Sequence, residues 1–521
     1  MLDTIDLDAA IPKRECKEIL GKIDLQLAQL QRDLRPSGSP ILVVFEGWDA
    51  AGKGMVLNRL LEPLDPRGFK VYNIKEATDV ERMFPHLRRF WLTIPPRGGI
   101  SIYNHSWYRE VLQDRVEQKI GAQELQNAFE HIRTFERQLH DDGAVVVKFF
   151  LHISKKEQAR RFKHLEKDDA FAWKIGKPEI RRHKMYREYY AATEDMLRET
   201  STAYAQWTVI SATDDNFAKV RVAETVLTAL QRAVAREVTP RPAPSAVPPR
   251  RTSPLDRIDL SKTVALDAYD ESMPRLQREL RRLQHVCYFK RRAAVLVFEG
   301  WDAGGKGGAI RRLTRLLDPR GYEVNPVAAP QGEEKTHHYL WRFWRAQPKA
   351  GHLAIFDRSW YGRVLVERVE GFASTQEWQR AYHEINEFET QLIESGAILL
   401  KFWMHISKDE QLNRFKIREE APHKRWKITD EDWRNREKWE DYWGPVSDML
   451  EQTSTPQTPW IIVEGNDKRY ARLKVLETVA QRLSVALEGK PLRMPRPAEP
   501  EKKSPKKKTP APPPSAARQA S

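Results

Sequence analysis

Apolar residues fall into two recurring patterns along the chain. Leu276, Leu280 and Leu283 repeat at the spacing of one helical face, and Ile23, Leu27 and Leu30 keep that register earlier in the chain. Each of these amphipathic helices precedes a short, unbroken apolar run, at residues 41–45 and 293–298. Runs of that length suit strands buried on both faces of a parallel sheet. Further runs at 352–356, 398–403 and 460–464 predict more strands, with helical stretches between them. Strands alternating with helices predict an α/β architecture, a parallel sheet flanked by helices.

The whole pattern occurs twice. Gly47-Trp48-Asp49-Ala50-Ala51-Gly52-Lys53-Gly54 returns as Gly300-Trp301-Asp302-Ala303-Gly304-Gly305-Lys306-Gly307, an offset of 253 positions (302 against 49). The same offset relates Asp65-Pro66-Arg67-Gly68 to Asp318-Pro319-Arg320-Gly321, Trp107-Tyr108 to Trp360-Tyr361, and His152-Ile153-Ser154 to His405-Ile406-Ser407. Two copies in register without a net gap mean a duplicated domain. The boundaries read as a first domain at 1–237, a Pro-rich extended linker at 238–256, a second domain at 257–491 and a disordered basic tail at 492–521.

Composition narrows the partners. The chain has 521 residues, a formal charge of +15 and a pI near 9.5, which favours a polyanionic partner over a neutral one. Part of that excess belongs to the Lys-rich tail, which says little about the domains. Only two cysteines occur, Cys16 and Cys287, and the repeat offset does not relate them, so they point to a reducing compartment and carry no visible chemistry. The first residues are acidic and mixed rather than an apolar signal core, and no apolar run approaches the roughly 20 residues of a membrane span. The expectation is a cytoplasmic protein with no membrane partner.

Strand, glycine-rich loop and helix, in that order, are the context of a Walker A phosphate loop. Gly300 and Gly305-Lys306 have its spacing, so backbone N–H groups can cradle phosphate oxygens while the Lys306 ammonium neutralises charge. The helix is expected to run from Lys306 to the Asp318-Pro319-Arg320-Gly321 turn. A Ser or Thr usually follows the lysine and reaches the metal; here the position is Gly307, and Asp302 within the loop is the nearest hard oxygen. The blander alternative is a strand-to-helix turn with Asp302 as a cap; duplication and strand context favour the phosphate loop. Downstream, an apolar strand runs into Asp357-Arg358-Ser359-Trp360-Tyr361, placing Asp357 where α/β sheets hold ligands, as a second metal ligand or a base, with Arg358 as a phosphoryl clamp.

A basic stretch follows: Arg414, Lys416, Arg418, Lys424, Arg425 and Lys427, ending near Asp432. It reads as a helical lid that brings cations onto the transferring group; a solvated helix face is the alternative. Arg311, Arg312 and Arg315, with Arg320, form a positive track leading from Lys306 that suits a long polyanion. Trp341, Phe343 and Trp344 are aromatic candidates for base recognition, with a core role the stronger reading.

These residues resemble the polyphosphate kinase 2 family, on Gly300 to Gly307, on Phe356-Asp357-Arg358-Ser359-Trp360-Tyr361 through Val369, and on Lys424-Arg425-Trp426-Lys427 with Asp432. The resemblance spans both halves, and the tandem form is similar to the two-domain subgroup that uses AMP. It implies P-loop kinase-like domains and transfer of the terminal phosphoryl group of inorganic polyphosphate to AMP, giving ADP. It also implies Mg²⁺, or Mn²⁺ in its place, on Asp302 and Asp357. Phosphate contacts are implied from Gly300, Gly305, Lys306, Gly307, Arg311, Arg358, Arg418 and Lys424, with Arg414 and Asp432 from the lid. No specific nucleic acid is implied, and a homo-oligomer is left open.

The first half departs from this pattern. Asp357 corresponds to Asn104, Arg358 to His105, Arg418 to Leu165, Lys424 to Phe171, Arg425 to Ala172 and Asp432 to Glu179. Losing a metal acid and several phosphate-neutralising cations together removes transition-state stabilisation, so the first half is expected to be inactive though still able to hold phosphate. Phosphorylation of ADP or GDP to triphosphates, an ATP-dependent monophosphate kinase, and polyphosphate binding without turnover are the competing functions.

Overall fold

The computed structural model describes residues 1–169, 172–236, 252–421, 428 and 430–492. Among the described residues, ten strands form two sheets. The first contains β1 (Ile41–Gly47), β2 (Phe69–Asn73), β3 (Ile100–Asn104), β4 (Val145–His152) and β5 (Trp207–Ser211). The second contains β6 (Ala294–Gly300), β7 (Tyr322–Pro326), β8 (Leu353–Asp357), β9 (Ile398–His405) and β10 (Trp460–Glu464). Their orders, β2-β3-β1-β4-β5 and β7-β8-β6-β9-β10, are the same under the repeat offset, and every pairing is parallel. The central strand of each sheet is the one that enters the glycine loop. Its six leading residues are fully covered, as the unbroken apolar runs require.

The structure adds two strands and amends one expectation. The edge strands β2 and β7 were not legible, because three of the five positions in each are exposed and β7 ends in Pro326, a residue that an edge tolerates and a central strand does not. The helix after the second loop stops at Leu313, well short of Asp318; the chain then turns to the Asp318 cap, whose side chain accepts from the Arg320 amide.

The two halves share one apolar core. It fills the first half and continues across the interface into one face of the second sheet, with Trp344, Phe356, Trp360 and Phe388 on the far side. A separate cluster around Leu276, Leu280, Leu296 and Leu476 seals the other face. The halves meet as pseudo-two-fold mates, each offering the same patch. Trp91 and its counterpart Trp344 stack on one another, with ring centroids 5.9 Å apart. The Arg97 amide donates to Thr336 O at 2.8 Å, and the equivalent Ala350 amide donates to Met83 O at 2.7 Å. Trp341, Phe343 and Trp344 are therefore buried core and interface residues.

Candidate active site

The second-half loop is bent by glycines at places where no other residue fits. Gly300 has φ +142°, and a Cβ there would lie 2.4 Å from Met404 O on β9; Gly305 has φ +110° and starts the helix Lys306–Leu313. Trp301 pins the outer side of the loop: its ring stacks on Trp439 at 3.9 Å, and its indole N–H donates to His405 Nδ1 at 3.0 Å. Burial lowers the His405 pKa to about 4, so the ring stays neutral and can accept that hydrogen bond. Lys306 Nζ donates to Gly300 O at 2.6 Å and Trp301 O at 3.2 Å, folded back over its own loop.

Parallel pairing sets Asp357 beside Phe298, at the carboxyl ends of β8 and β6. The segment after it is anchored from below. Trp360 Nε1 and Tyr361 Oη donate to Glu389 Oε1 at 3.1 and 2.7 Å, and the buried Lys401 ammonium reaches the other Glu389 oxygen at 2.8 Å. Arg358, held at φ +65°, turns across the cleft and donates to Asp302 Oδ1 at 3.0 Å. Asn435, from the helix Asp430–Glu437, donates to Asp302 Oδ2 at 2.9 Å, and Gln411 donates to the Asp302 carbonyl at 3.0 Å. A Cβ on Gly307 would come within 3.9 Å of Asp357 Oδ2, so the position that usually carries the hydroxyl faces this carboxylate instead.

Two clefts open from these residues. One, of about 350 Å³, runs over Gly305, Lys306 and Gly307 and is walled by Asp357, Arg418 and Asp432. The other, of about 90 Å³, has an aromatic wall of Trp301, Trp403 and Tyr442 and a floor at Glu299. Asp302 and Arg358 line both. Burial pushes the Glu299 carboxyl up, and Ser359 Oγ donates to it at 2.7 Å. The Trp403 N–H is buried in the second cleft's wall without a hydrogen-bond partner.

Not every candidate joins this constellation. Arg414 lies behind the loop, 3% exposed, donating to Glu410, to Ala303 O at 2.8 Å and to Gly465 O at 2.5 Å. It braces the loop rather than facing either cleft. Arg311 sits exposed on the outer face of its helix. Lys424, like Arg425, Trp426 and Lys427, lies outside the described residues, as do most of the linker and nearly all of the tail. Sequence reasoning missed Asn435 and Gln411, which are unremarkable polar residues within charged helices, and Trp403, which reads as one more core residue of a strand. Among the described residues no three His, Cys, Asp or Glu side chains converge as a ready metal cage. Asp302, Asp357 and Asp432 nevertheless face one cleft with Lys306, the hard-oxygen surroundings in which Mg²⁺ is shared with substrate phosphates.

The first half has the same loop in a different electrostatic state. Arg182, the counterpart of Asn435, donates from Nε to Asp49 Oδ2 at 2.6 Å and from Nη2 to Glu179 at 2.5 Å. Burial alone would raise the Asp49 carboxyl, but Lys53 and Arg182 outweigh it and hold it below the usual carboxylate range. His105, in place of Arg358, turns to Glu46 at 3.0 Å, and Asn104 bonds Asn73 at 3.0 Å. The cleft equivalent to the Trp403 cleft shrinks to about 40 Å³, with Arg182 and His105 in its lining and Phe150 in place of Trp403.

Comparison with known proteins agrees with this geometry. The family model described as polyphosphate kinase 2 matches twice, over residues 10–237 and 263–491. A Pseudomonas aeruginosa protein named polyphosphate:AMP phosphotransferase is 41% identical over 93% of this chain and 99% of its own length. A shorter protein from the same organism, named ADP-polyphosphate phosphotransferase, is 40% identical over 41% of this chain and 71% of its own length. The crystal structure of a putative polyphosphate kinase 2 from Pseudomonas aeruginosa superposes with a TM-score of 0.83 at 39% identity, covering 94% of this chain and all of that one. This chain belongs to the polyphosphate kinase 2 family and carries two copies of the family's domain in tandem.

Proposed function

We propose that the second half transfers the terminal phosphoryl group of inorganic polyphosphate to AMP, releasing ADP, and that the first half does not turn over. The observation that carries this reading is the meeting of two clefts at Asp302 and Arg358. The larger one, over the phosphate loop, suits the polyanionic donor; the aromatic one suits a base and its ribose phosphate. Donor and acceptor phosphates then face each other beside one carboxylate and one guanidinium. A relative that matches 93% of the tandem chain is named for AMP, whereas one named for ADP matches 41% of it.

Phosphoryl transfer asks the protein for alignment and charge neutralisation rather than covalent chemistry. Lys306 exchanges its two loop carbonyls for donor oxygens, and the loop amides at the helix start bind alongside it. Arg358 leaves Asp302 to span the transferring group, with Arg418 on the far wall. Arg414 acts at one remove by fixing Ala303. Asp302 and Asp357 would hold Mg²⁺, or Mn²⁺ in its place, which supplies charge neutralisation on the donor oxygens. The Trp403 N–H offers the acceptor wall a buried donor without a hydrogen-bond partner of its own. No helix among the described residues is long and apolar enough to cross a membrane, and Cys16 and Cys287 are both buried and free, which suits a cytoplasmic enzyme.

The test is product analysis of the full chain with polyphosphate and Mg²⁺, offered AMP or ADP separately and without ATP. ADP formed from AMP is the expected result. ATP formed mainly from ADP would move the acceptor assignment, and no product from either would remove polyphosphate as donor.

A further inference from the structure

The pseudo-two-fold interface encloses two equivalent cavities, and only one of them is filled. The first is bounded by Leu42, Leu139 and Ala144 of the first half and by residues 336–338 of the second; its volume is about 10 Å³. The second is bounded by the counterparts Val295, Leu392 and Ala397 and by residues 83–85; its volume is about 630 Å³. Two of the positions that differ bear directly on the filling. In the filled cavity Arg97 donates to Asp142 at 3.0 Å, and Asp142 also faces Arg380 at 3.5 Å. The counterparts of Arg97 and Asp142 are Ala350 and Ser395, too short to span the space.

We propose that this open cavity is a binding site for a small organic anion with an apolar or aromatic body, separate from the two transfer clefts. Its volume lies within the range of ligand pockets, and domain interfaces are where such pockets concentrate. The deep wall is apolar, made of Val295, Leu392 and Ala397, which are essentially covered by the fold. The rim is cationic. Arg82 and Arg291 line it with one acid, Asp79, which Arg82 already pairs at 2.8 Å; no carboxylate among the described residues pairs with Arg291. An apolar body against the deep wall and an anionic group at Arg291 satisfy both surfaces. The site lies at the start of β6, whereas the phosphate loop leaves its other end, about 20 Å away at ~3.3 Å per strand residue. A ligand there touches Met83 and Phe84 of one half and Ala350 and Leu392 of the other, so it bridges the halves.

The experiment fills the cavity as its twin is filled, with Ala350→Arg and Ser395→Asp together. The full chain and this double variant are titrated with anilinonaphthalene sulfonate, an aromatic monoanion, following fluorescence, with thermal unfolding as a second readout. The parent is expected to show one saturable site and a dye-dependent rise in Tm. The double variant should bind about tenfold or more weakly while keeping its AMP-dependent turnover. Arg291→Ala, an exposed change that leaves the core intact, should weaken binding several-fold and decides the matter if the double variant loses its fold. No saturable site in the parent overturns the proposal. So does binding unchanged in the filled variant, or, if that variant does not fold, binding unchanged in Arg291→Ala.

Discussion

Asp302 and Asp49 occupy the same place in the same loop, on the same strand of the same sheet, yet their surroundings differ. Asp302 is held by one exposed guanidinium and one neutral amide. Asp49 is held by Arg182, which is itself fixed by Glu179, and the cleft beside it is reduced. The phosphate loop, its glycine angles and the lysine contacts with loop carbonyls are kept in both copies. On the proposed reading the first-half P-loop is silenced without damage to its backbone: Arg182 stands against the carboxylate that in the second half would hold the metal, and Asn104 replaces the acid on the neighbouring strand.

Apart from loss of the acid Asp357, the largest effect expected from this contrast follows loss of the one loop cation. Lys306→Ala should lower AMP-dependent ADP formation by about 10²–10³-fold, while Lys53→Ala should leave the rate within about twofold. Arg358→His, which copies the first half, should cost about 10²-fold, mostly in kcat, because the guanidinium that spans the two clefts is lost. Asn435→Arg imports the Arg182 clamp. It should cut turnover by about 10–100-fold, with the loss partly recovered at high Mg²⁺, since the new guanidinium competes for the Asp302 carboxylate. A rate independent of Mg²⁺ in that variant would mean that the clamp acts by bulk alone.

Smaller effects sharpen the comparison. Trp403→Phe, again the first-half residue, removes one donor from the acceptor cleft and should raise the AMP KM by about tenfold or less with kcat little changed. Glu110 provides a pH test outside either site. Burial raises its carboxyl to about 7, whereas its counterpart Arg363 pairs with Glu367 at 3.2 Å. A folded pKa above the unfolded one means that stability is lost as pH rises from the ordinary carboxylate range toward 7 and is fully present below it. Glu110→Gln should therefore raise Tm at pH 8, by an amount reflecting on the order of 2 kcal/mol, and leave it nearly unchanged at pH 5. A gain of equal size at both values would point to packing instead of charge.

The sequence made the duplication, the buried strands and the two acids visible, because these depend on short-range pattern: apolar runs, a glycine spacing, an acid at the end of a strand. It concealed whatever depends on which side chains meet across the cleft. Asn435 and Arg182 stand more than a hundred residues from the loops they touch, within helices whose composition suggests only solvation. Arg414 was legible as a lid cation, but its place behind Ala303 follows from the packing of its helix against the loop. The edge strands β2 and β7 carry too little apolar signal to be seen, and the two interface cavities differ in part through substitutions that look neutral in isolation, Arg97 against Ala350 and Asp142 against Ser395.

The central claim is that turnover resides in the second half alone. It is tested most directly by measuring ADP formation from AMP and polyphosphate in Asp357→Asn beside Asn104→Ala, each with its fold checked by Tm. The expected result is a loss of about 10³-fold in Asp357→Asn and a rate close to that of the parent in Asn104→Ala. Substantial turnover remaining in Asp357→Asn, or a comparable loss in Asn104→Ala, would contradict it.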